Sequence, residues 1–333
     1  MNFASESIPN APFGSQSEVP VHCGAAPFVE YCRTNPTFLL KELDKAKGLL
    51  LIHGLGEIAG KADWLLELSQ RCGNEVENYR ETNIAQHLVH TEIPQILQVS
   101  NVAPVNRQPP DKPEPPLTED KFLPVTFPHR VGWHSDQSYR RPPPDVSLFY
   151  AVKPCPQGQG QTLYASGILA YDALSGEQKK RIRSLRAIHA QPRSGYSEAE
   201  ALSGAEEPKL AAHKRPQPQP LVRTHPVTGE RALFLCERNQ TDWFNGPFEG
   251  LEPGPHGEGA KLLYELMEHY TQRKFVYIHE WNEGDLIIYD NRTTIHSATW
   301  FDSDAHPRVM WRTTVSGNAG PEYAGERKSW IAA

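Results

Sequence analysis

Short strand-like segments between residues 147 and 315 are the feature that most constrains the fold of this chain. Apolar and β-branched residues form brief runs at 147–152, 161–164, 232–235, 275–278, 285–289 and 308–315. Helical spacing is confined to 36–47, 61–72, 167–174, 176–186 and 258–271. Many short strands with a few covering helices favour two facing sheets over a parallel sheet. We therefore predict a mainly β fold with flanking helices and a double-stranded β-helix (jelly roll) core.

Composition divides the chain into an arm, one domain and two insertions. Residues 1–26 are rich in Ser, Pro, Gly and Ala without a period, so we expect a flexible N-terminal arm before a single domain at 27–333. Prolines crowd the stretches 104–128 and 191–220, which disfavours helices and central strands there. Loops of more than about 15 residues are usually lids or disordered segments. We predict two lid insertions, although a solvated surface insertion without a role explains the first equally well.

Charge and cysteine content exclude several classes of protein. A net charge of -6 provides no global basic field, so we expect no nucleic acid or membrane partner. The five cysteines are odd in number and lack a C-x-x-C pair, which is typical of reduced cytosolic thiols. The N-terminus lacks a basic stretch followed by an apolar one, so no signal peptide is indicated. We expect a cytoplasmic protein, in which Trp311, Trp330 and the helix near 258–271 could form a homo-oligomer interface.

The strongest candidate for a chemical site is His134-Ser135-Asp136, which we predict to lie on a strand. Side chains alternate faces along a strand, so His134 and Asp136 would project to the same side. A tripeptide of common residues recurs by chance, and a hydrogen-bonded surface pair would explain it too. However, His296 offers a third ligand far along the chain, and two histidines with one carboxylate on one face of an octahedron suit Fe(II) oxygenases.

Two arginines, Arg308 and Arg312, follow this third histidine on a strand-like run. They share parity, so both could face one cavity at a separation of about 13 Å along an extended strand. The guanidinium group offers a planar fork of donors that matches a carboxylate. This spacing suggests two different anionic ligands, and it leaves open which arginine binds which ligand.

Four separated motifs occur in order between residues 130 and 316: Trp133-His134-Ser135-Asp136, Gln161-Thr162-Leu163-Tyr164-Ala165-Ser166-Gly167, Asp290-Asn291-Arg292 with His296, and Arg308 with Arg312. Together these motifs resemble the taurine dioxygenase (TauD/TfdA) family of Fe(II)- and 2-oxoglutarate-dependent dioxygenases. The resemblance implies that His134, Asp136 and His296 ligate Fe(II), with 2-oxoglutarate as cosubstrate and O2 as oxidant. It also implies that Thr162 and Arg308 bind the distal carboxylate of 2-oxoglutarate, while Arg312 meets an anionic group of the substrate.

The segment expected to face the primary substrate departs from the taurine enzymes. Residues 77–81, Glu-Asn-Tyr-Arg-Glu, lack their histidine- and tyrosine-bearing pattern, and Asn78 falls about where a sulfonate-binding histidine would lie. We therefore expect a small anionic organic substrate that contacts Asn78 and Arg312. Related halogenases have a small residue at the carboxylate position. Because this chain has Asp136, the resemblance implies oxidation of a C–H bond, hydroxylation above all, with decarboxylation of 2-oxoglutarate to succinate.

Two alternatives stay open at this point. A 2-oxoglutarate-dependent biosynthetic oxidase could use the same ligands to desaturate or cyclise an amino acid derivative. A noncatalytic jelly-roll metal-binding protein could also retain the three metal ligands. In that protein, however, Thr162 and Arg308 would have no reason to converge on the metal.

Overall fold

Two β-sheets share a buried apolar layer at the centre of the computed structural model, which describes residues 3–82, 84–112, 132–237 and 240–331. In chain order, the strands of this described part are β1 Glu6–Ser7, β2 Ser15–Glu18, β3 Leu49–His53, β4 Glu75–Val76, β5 Leu97–Ser100, β6 Val146–Lys153, β7 Thr162–Ser166, β8 Arg186–His189, β9 Gln217–Pro220, β10 Val222–Thr224, β11 Arg231–Leu233, β12 Val276–His279, β13 Leu286–Asp290, β14 Thr294–Ala298 and β15 Val309–Ser316. Its α-helices are α1 Ala26–Thr34, α2 Phe38–Lys45, α3 Ala62–Gln70, α4 Gly167–Asp172, α5 Gly176–Ile182, α6 Glu198–Leu202 and α7 Glu258–Tyr270.

The larger sheet has the order β1-β2-β3-β13-β6-β15-β4, and β5 also pairs with β15. The smaller sheet has the order β12-β7-β14. Every pair in these sheets is antiparallel except β2 with β3. The predicted strand-like runs match β6, β7, β11, β12, β13 and β15 to within a few residues. The predicted mainly β architecture is confirmed.

Alternation of side chains along the larger sheet separates two apolar layers. On β13, Leu286 and Ile288 pack in a cluster with residues of α1, α2 and α3. Ile287 and Tyr289 belong instead to the cluster that Tyr164 of the smaller sheet joins. On the other side of the smaller sheet, α4 and α7 cover residues of β7, β12 and β14. The space between the sheets is therefore the natural place for the predicted site.

The expected flexible N-terminal arm differs from what the structure shows. Strand β2 pairs in parallel with β3, and β1 pairs with β2. Phe3, Ile8 and Phe13 are 3%, 6% and 6% exposed, and the ring of Phe3 lies 5.2 Å from that of Phe28. The apolar residues of this segment are too few and too unevenly spaced to form a period. Phe3, Ile8 and Phe13 nevertheless pack in the core clusters, and these contacts hold the segment against the domain.

The structure describes the second of the two predicted lid insertions fully and the first only in part. Residues 113–128 of the first lie outside the described residues. The second, 191–220, contains α6 and ends in β9, which pairs with β8. Its Gln219 is fully buried and donates its side-chain amide to the carbonyl oxygens of Ser138 and Arg140, at 2.7 Å each. The end of this segment is thus anchored directly behind the His134 motif.

The proposed oligomer surfaces are largely internal. Trp311 is 6% exposed and its ring lies 5.9 Å from that of Tyr150, while the apolar residues of α7 pack in the core. Trp330 lies over the guanidinium of Arg140, 4.9 Å from its carbon. Homo-oligomerisation stays a prediction. No helix in the described ranges is both long and apolar enough to cross a membrane.

Candidate metal centre and cosubstrate pocket

The edge of the smaller sheet brings the two predicted histidine ligands together. His296 lies on β14, and its backbone forms an isolated antiparallel bridge with that of His134. The two N–O distances of this bridge are 3.0 and 2.8 Å. The imidazole rings consequently lie 4.2 Å apart, centroid to centroid. Backbone pairing therefore places the two side chains next to each other.

Asp136 is positioned by a turn, so the predicted strand through residues 134–136 is wrong. Only His134 pairs with a neighbouring strand, and the next residue after Asp136, Gln137, has a left-handed φ of 50°. Asn291 holds the turn, because its side-chain oxygen accepts a hydrogen bond from the backbone N–H of Asp136 at 3.2 Å. Its backbone carbonyl accepts a second one from the Ser135 hydroxyl at 2.8 Å. The contact with Asn291, which is distant in sequence, therefore sets the direction of the Asp136 side chain, rather than the alternation of side chains along a strand.

The three predicted ligands converge. One donor atom each from His134, Asp136 and His296 lies within 4.8 Å of the others. Asp136 Oδ1 is 4.0 Å from His134 Nε2 and 3.9 Å from His296 Nε2. These distances are too long for hydrogen bonds, but they are below about 4.2 Å, which is twice a typical metal–nitrogen bond. One ion could thus contact all three side chains.

Protonation makes this group suitable for a divalent cation. His134 Nδ1 lies 2.7 Å from the carbonyl oxygen of Gly132, which can only accept, so Nδ1 carries the proton and Nε2 presents its lone pair. Burial lowers the pKa of His134, and it lowers the pKa of His296 to about 3. Burial alone would raise the pKa of Asp136, but the Arg312 guanidinium holds that pKa well below its usual range. The result is two neutral imidazoles beside one carboxylate.

Asp136 is surrounded by donors. Its Oδ2 accepts hydrogen bonds from the Tyr289 hydroxyl at 2.5 Å and from the Ser147 hydroxyl at 2.8 Å, while Arg312 pairs with Oδ1. Asn291 in turn donates its side-chain amide to the Ser147 hydroxyl at 2.9 Å. No sequence motif marks Tyr289 or Ser147 as a site residue. The alternation of side chains along β13 and β6 could have placed Tyr289 and Ser147 on the inner face of the larger sheet. That pattern points to the site only once Asp136 is known to face them.

The Asp290-Asn291-Arg292 motif braces the turn before His296. Arg292 pairs with Asp290 at 2.6 Å, and His225 Nε2 lies 3.0 Å from the same carboxylate. All three of these side chains are nearly inaccessible to solvent. Such outer contacts commonly fix the orientation of metal ligands.

The predicted cosubstrate residue Arg308 is buried, and the described part of the chain offers it no counter-ion. It is 7% exposed, and its guanidinium carbon lies 5.9 Å from the ring of Phe149 and 5.8 Å from that of Phe301. Its Nε is inaccessible, and among the residues that the structure describes it has neither a hydrogen-bond partner nor a carboxylate that pairs with it. Burial lowers its pKa from the usual value. A buried and unpaired guanidinium is unfavourable, so this position favours binding of an anion.

Thr162 lies on the same side of the site. It is 2% exposed on β7, and its hydroxyl accepts a hydrogen bond from the Trp281 indole N–H at 2.9 Å. Gly160, two residues earlier, has a φ of 61°, and a Cβ there would lie 3.4 Å from Arg308 Nε and 3.0 Å from Cys155 Sγ. Glycine therefore suits this position because of its positive φ and the close approach of Cys155, and the chain before Thr162 passes beside Arg308.

The predicted substrate residues Arg312 and Asn78 are placed differently. Arg312 reaches the metal cluster through Asp136, as described above. Asn78 caps the short turn that follows it, since its side-chain oxygen accepts from Arg80 N at 3.1 Å and its amide donates to Glu81 at 2.6 Å. It lines a cavity of about 630 Å³ that Gln137 also lines, rather than joining the metal cluster.

Comparison with known proteins agrees with this arrangement. The family model of the taurine catabolism dioxygenase TauD, TfdA family matches residues 33–314. The chain belongs to the TauD/TfdA family. This confirms the resemblance that the four motifs indicated.

Two curated relatives in this family are phenoxy acid dioxygenases by name. The chain is 37% identical over 185 residues to an alpha-ketoglutarate-dependent 2,4-dichlorophenoxyacetate dioxygenase of Cupriavidus pinatubonensis, covering 55% of this chain and 59% of that protein. It is 32% identical over 199 residues to an (S)-phenoxypropionate/alpha-ketoglutarate-dioxygenase of Sphingobium herbicidovorans, covering 58% and 65%. The matched region therefore spans less than two thirds of either relative.

A solved structure extends the likeness over nearly the whole chain. AAD-2, crystallised in complex with Mn(II) and N-oxalylglycine, superposes with a TM-score of 0.67 at 27% identity. The superposition covers 96% of this chain and 98% of that one. The jelly-roll core expected from the pattern of short strands is confirmed.

Proposed function

We propose that this chain is an Fe(II)- and 2-oxoglutarate-dependent dioxygenase that oxidises, most simply hydroxylates, a C–H bond of a small anionic organic substrate. 2-Oxoglutarate would be decarboxylated to succinate in the same reaction. One observation carries the proposal: three ligand atoms within 4.8 Å of one another accompany a buried arginine that has no ionic partner in the described part of the chain. A purely structural metal site would account for the three converging ligand atoms, but it would not explain the buried arginine.

In this proposal, His134, Asp136 and His296 hold Fe(II) and leave the opposite face open to other ligands. When bound, the iron supplies the oxidising power, with O2 and 2-oxoglutarate as co-reactants. The protein keeps the imidazoles neutral by burial and keeps Asp136 ionised beside Arg312. Tyr289 and Ser147 bind the outer oxygen of Asp136, so Oδ1 is the oxygen nearer the two histidines.

Arg308 and Thr162 are the proposed anchors of the distal carboxylate of 2-oxoglutarate. The spacing of the two arginines alone left their roles interchangeable. Arg312 already pairs with Asp136, whereas Arg308 lacks a counter-ion among the described residues, which favours Arg308 for the cosubstrate. A carboxylate would supply charge-assisted hydrogen bonds to the buried guanidinium. Arg312 and Asn78 remain the proposed contacts of the primary substrate.

For the primary substrate we propose an aryloxyalkanoate, meaning a phenoxy acid. The 37% and 32% identical relatives are named for substrates of this class. Asn78 and Gln137 line a cavity of about 630 Å³, which has sufficient volume for an aromatic ring. Neither Arg312 nor a proposed metal ligand lines this cavity, so the choice of substrate class rests on the two relatives.

The proposed cellular setting is the cytoplasm. All five cysteines are free thiols in the structure, and burial raises the pKa of Cys155 and Cys236 to about 11. Buried, protonated thiols are poorly reactive and are compatible with a reducing compartment.

Release of succinate tests the proposed function. Purified protein is incubated with Fe(II), 2-oxoglutarate and one of three candidates: 2,4-dichlorophenoxyacetate, (S)-phenoxypropionate or taurine. We expect succinate with a phenoxy acid, only when both Fe(II) and 2-oxoglutarate are present, and none from the His134→Ala variant. His87→Ala is the matched control, because His87 is exposed and does not belong to the cluster of His134, Asp136 and His296. Unchanged succinate release by His134→Ala would contradict the proposal.

A further inference from the structure

The contact between Trp281 and Thr162 fixes the direction of a buried hydroxyl group. Trp281 is 4% exposed, and its Nε1 lies 2.9 Å from Thr162 Oγ1. An indole N–H can only donate a hydrogen bond, so the threonine oxygen must accept it. Within the described residues, the proton of the Thr162 hydroxyl has no acceptor of its own. That proton is left available for a ligand.

The indole is held rigidly by aromatic neighbours. Its ring meets Phe149 edge to face at 5.2 Å and His279 edge to face at 4.4 Å, with interplanar angles of 89° in both cases. Its backbone carbonyl accepts a hydrogen bond from the Gln157 side chain at 3.3 Å. Phe149 also flanks the guanidinium of Arg308 at 5.9 Å. One pair of aromatic rings therefore contacts both proposed anchors of the cosubstrate.

We infer that Trp281 is a positioning residue for 2-oxoglutarate: it occupies an acceptor site of the Thr162 oxygen and so directs the hydroxyl proton to the distal carboxylate. The inference rests on the proposed function. Without the indole N–H, the hydroxyl can turn to another acceptor in the free protein and must turn back when the ligand binds. In addition, a hydroxyl that accepts one hydrogen bond is a stronger donor in the next. Both effects favour binding when Trp281 is present.

A double-mutant cycle on cosubstrate affinity tests this role. 2-Oxoglutarate is titrated calorimetrically into Mn(II)-loaded wild-type protein, Trp281→Phe, Thr162→Val and the double variant. We expect the dissociation constant to rise about tenfold in Thr162→Val and about fivefold in Trp281→Phe, as for the loss of a hydrogen bond to a charged group. In the Thr162→Val background, Trp281→Phe should change it less than about twofold, since no hydroxyl remains to be oriented.

Trp64→Phe is the matched control, because Trp64 lies on α3 outside the site, where its ring meets the Lys61 amine at 4.0 Å. This substitution should leave the affinity unchanged. If phenylalanine at position 281 prevents folding, β-(3-benzothienyl)alanine at that position keeps the shape of the indole without its N–H. It then takes the place of phenylalanine in the same cycle.

The outcomes separate the inference from the proposed function. Equal losses of affinity from Trp281→Phe in both backgrounds would mean that the ring acts only by packing, and would overturn the inference alone. An unchanged affinity in Trp281→Phe would overturn it as well. Failure of the wild-type protein to bind 2-oxoglutarate in the presence of Mn(II) would overturn the proposed function and, with it, the role of Trp281.

Discussion

The two charged ends of the site differ in how far the protein itself satisfies them. At the metal end, Asp136 pairs with Arg312 and accepts hydrogen bonds from Tyr289 and Ser147. At the other end, Arg308 lies between two phenylalanine rings without a counter-ion among the described residues. The carboxylate of Asp136 already has hydrogen-bond and ionic partners within the protein. The guanidinium of Arg308 lacks an ionic partner among the described residues until an anion binds. We therefore expect removal of the charge to increase the stability of the folded protein only at Arg308.

The largest effect is expected at the metal end. Asp136→Ala or His296→Ala removes one of three ligands, so we expect loss of activity to background and loss of metal binding. Mn(II) should raise the unfolding temperature of the wild-type protein, because it binds only the folded state, and should not raise that of either variant. Differential scanning calorimetry with and without Mn(II) measures this. An equal upward shift in His296→Ala would exclude His296 as a ligand.

The two arginines offer the sharpest contrast. Arg312→Met leaves Asp136 without its charged partner, so we expect the free energy of unfolding of the metal-free protein to fall by about 3 kcal/mol. Arg308→Met removes a buried charge that no described residue pairs with, so the metal-free protein should unfold at the same or a higher denaturant concentration. Urea denaturation of both variants measures the difference.

Arg308→Met should have its large effect on ligand binding rather than on stability. We expect this substitution to weaken 2-oxoglutarate binding at least about 100-fold, because charge-assisted hydrogen bonds are lost. Stability losses of similar size in Arg308→Met and Arg312→Met would show that the two ends do not differ as described. It would then again be undecided which arginine binds 2-oxoglutarate and which binds the primary substrate.

A smaller effect is expected from the outer contacts of Asp136. Tyr289→Phe keeps the ring against His296, 4.9 Å away, and removes only the hydroxyl that bonds to Oδ2. We expect metal affinity to fall about tenfold, as is usual when an outer partner of a metal ligand is lost. Tyr277→Phe is the control, because that hydroxyl bonds to His279 rather than to Asp136. Equal Mn(II) affinities for Tyr289→Phe and wild type would remove Tyr289 from the metal site.

The smallest expected change in stability concerns the pair His53 and Asp285, which belongs neither to the metal cluster nor to the surroundings of Arg308. His53 Nδ1 lies 2.7 Å from Asp285, and this hydrogen bond raises the pKa of His53. The stabilisation is therefore fully present below the ordinary histidine pKa of about 6.5 and is lost as the pH rises through the raised pKa. His53 is partly exposed, so His53→Ala should cost about 0.5 kcal/mol at pH 5.5 and less at pH 9. A larger cost at pH 9, measured by urea denaturation, would contradict this.

The sequence predicted those parts of the molecule that short motifs or local periods encode. Strands β6, β7, β13 and β15 follow from apolar runs, and α5 falls within the helical run expected at 176–186, where Ser175 and Gln178 form a capping box. The residues of the metal cluster and the buried Arg308 follow from motifs that resemble a known family. The sequence thus indicated both the fold and the chemistry of the site.

The remaining features depend on contacts between distant segments. Residues 134–136 resemble a strand locally, but Asn291 fixes them as a bridge followed by a turn. Nothing local marks Tyr289 as a partner of Asp136, since the two meet only when the sheets stack. The N-terminal segment looks unstructured by composition, yet β2 completes one side of β3. In each case, pairing across the fold overrides the local pattern.

The central claim is that one site binds a metal ion and 2-oxoglutarate together, with Arg308 supplying the charge for the distal carboxylate. The most direct test is an anaerobic titration of 2-oxoglutarate into protein loaded with Fe(II), followed by visible absorption. We expect a weak charge-transfer band in the wild-type protein, no band in His296→Ala, and a band in Arg308→Met only at far higher 2-oxoglutarate concentrations. A wild-type protein without the band, or a band that persists unchanged in His296→Ala, would contradict the claim.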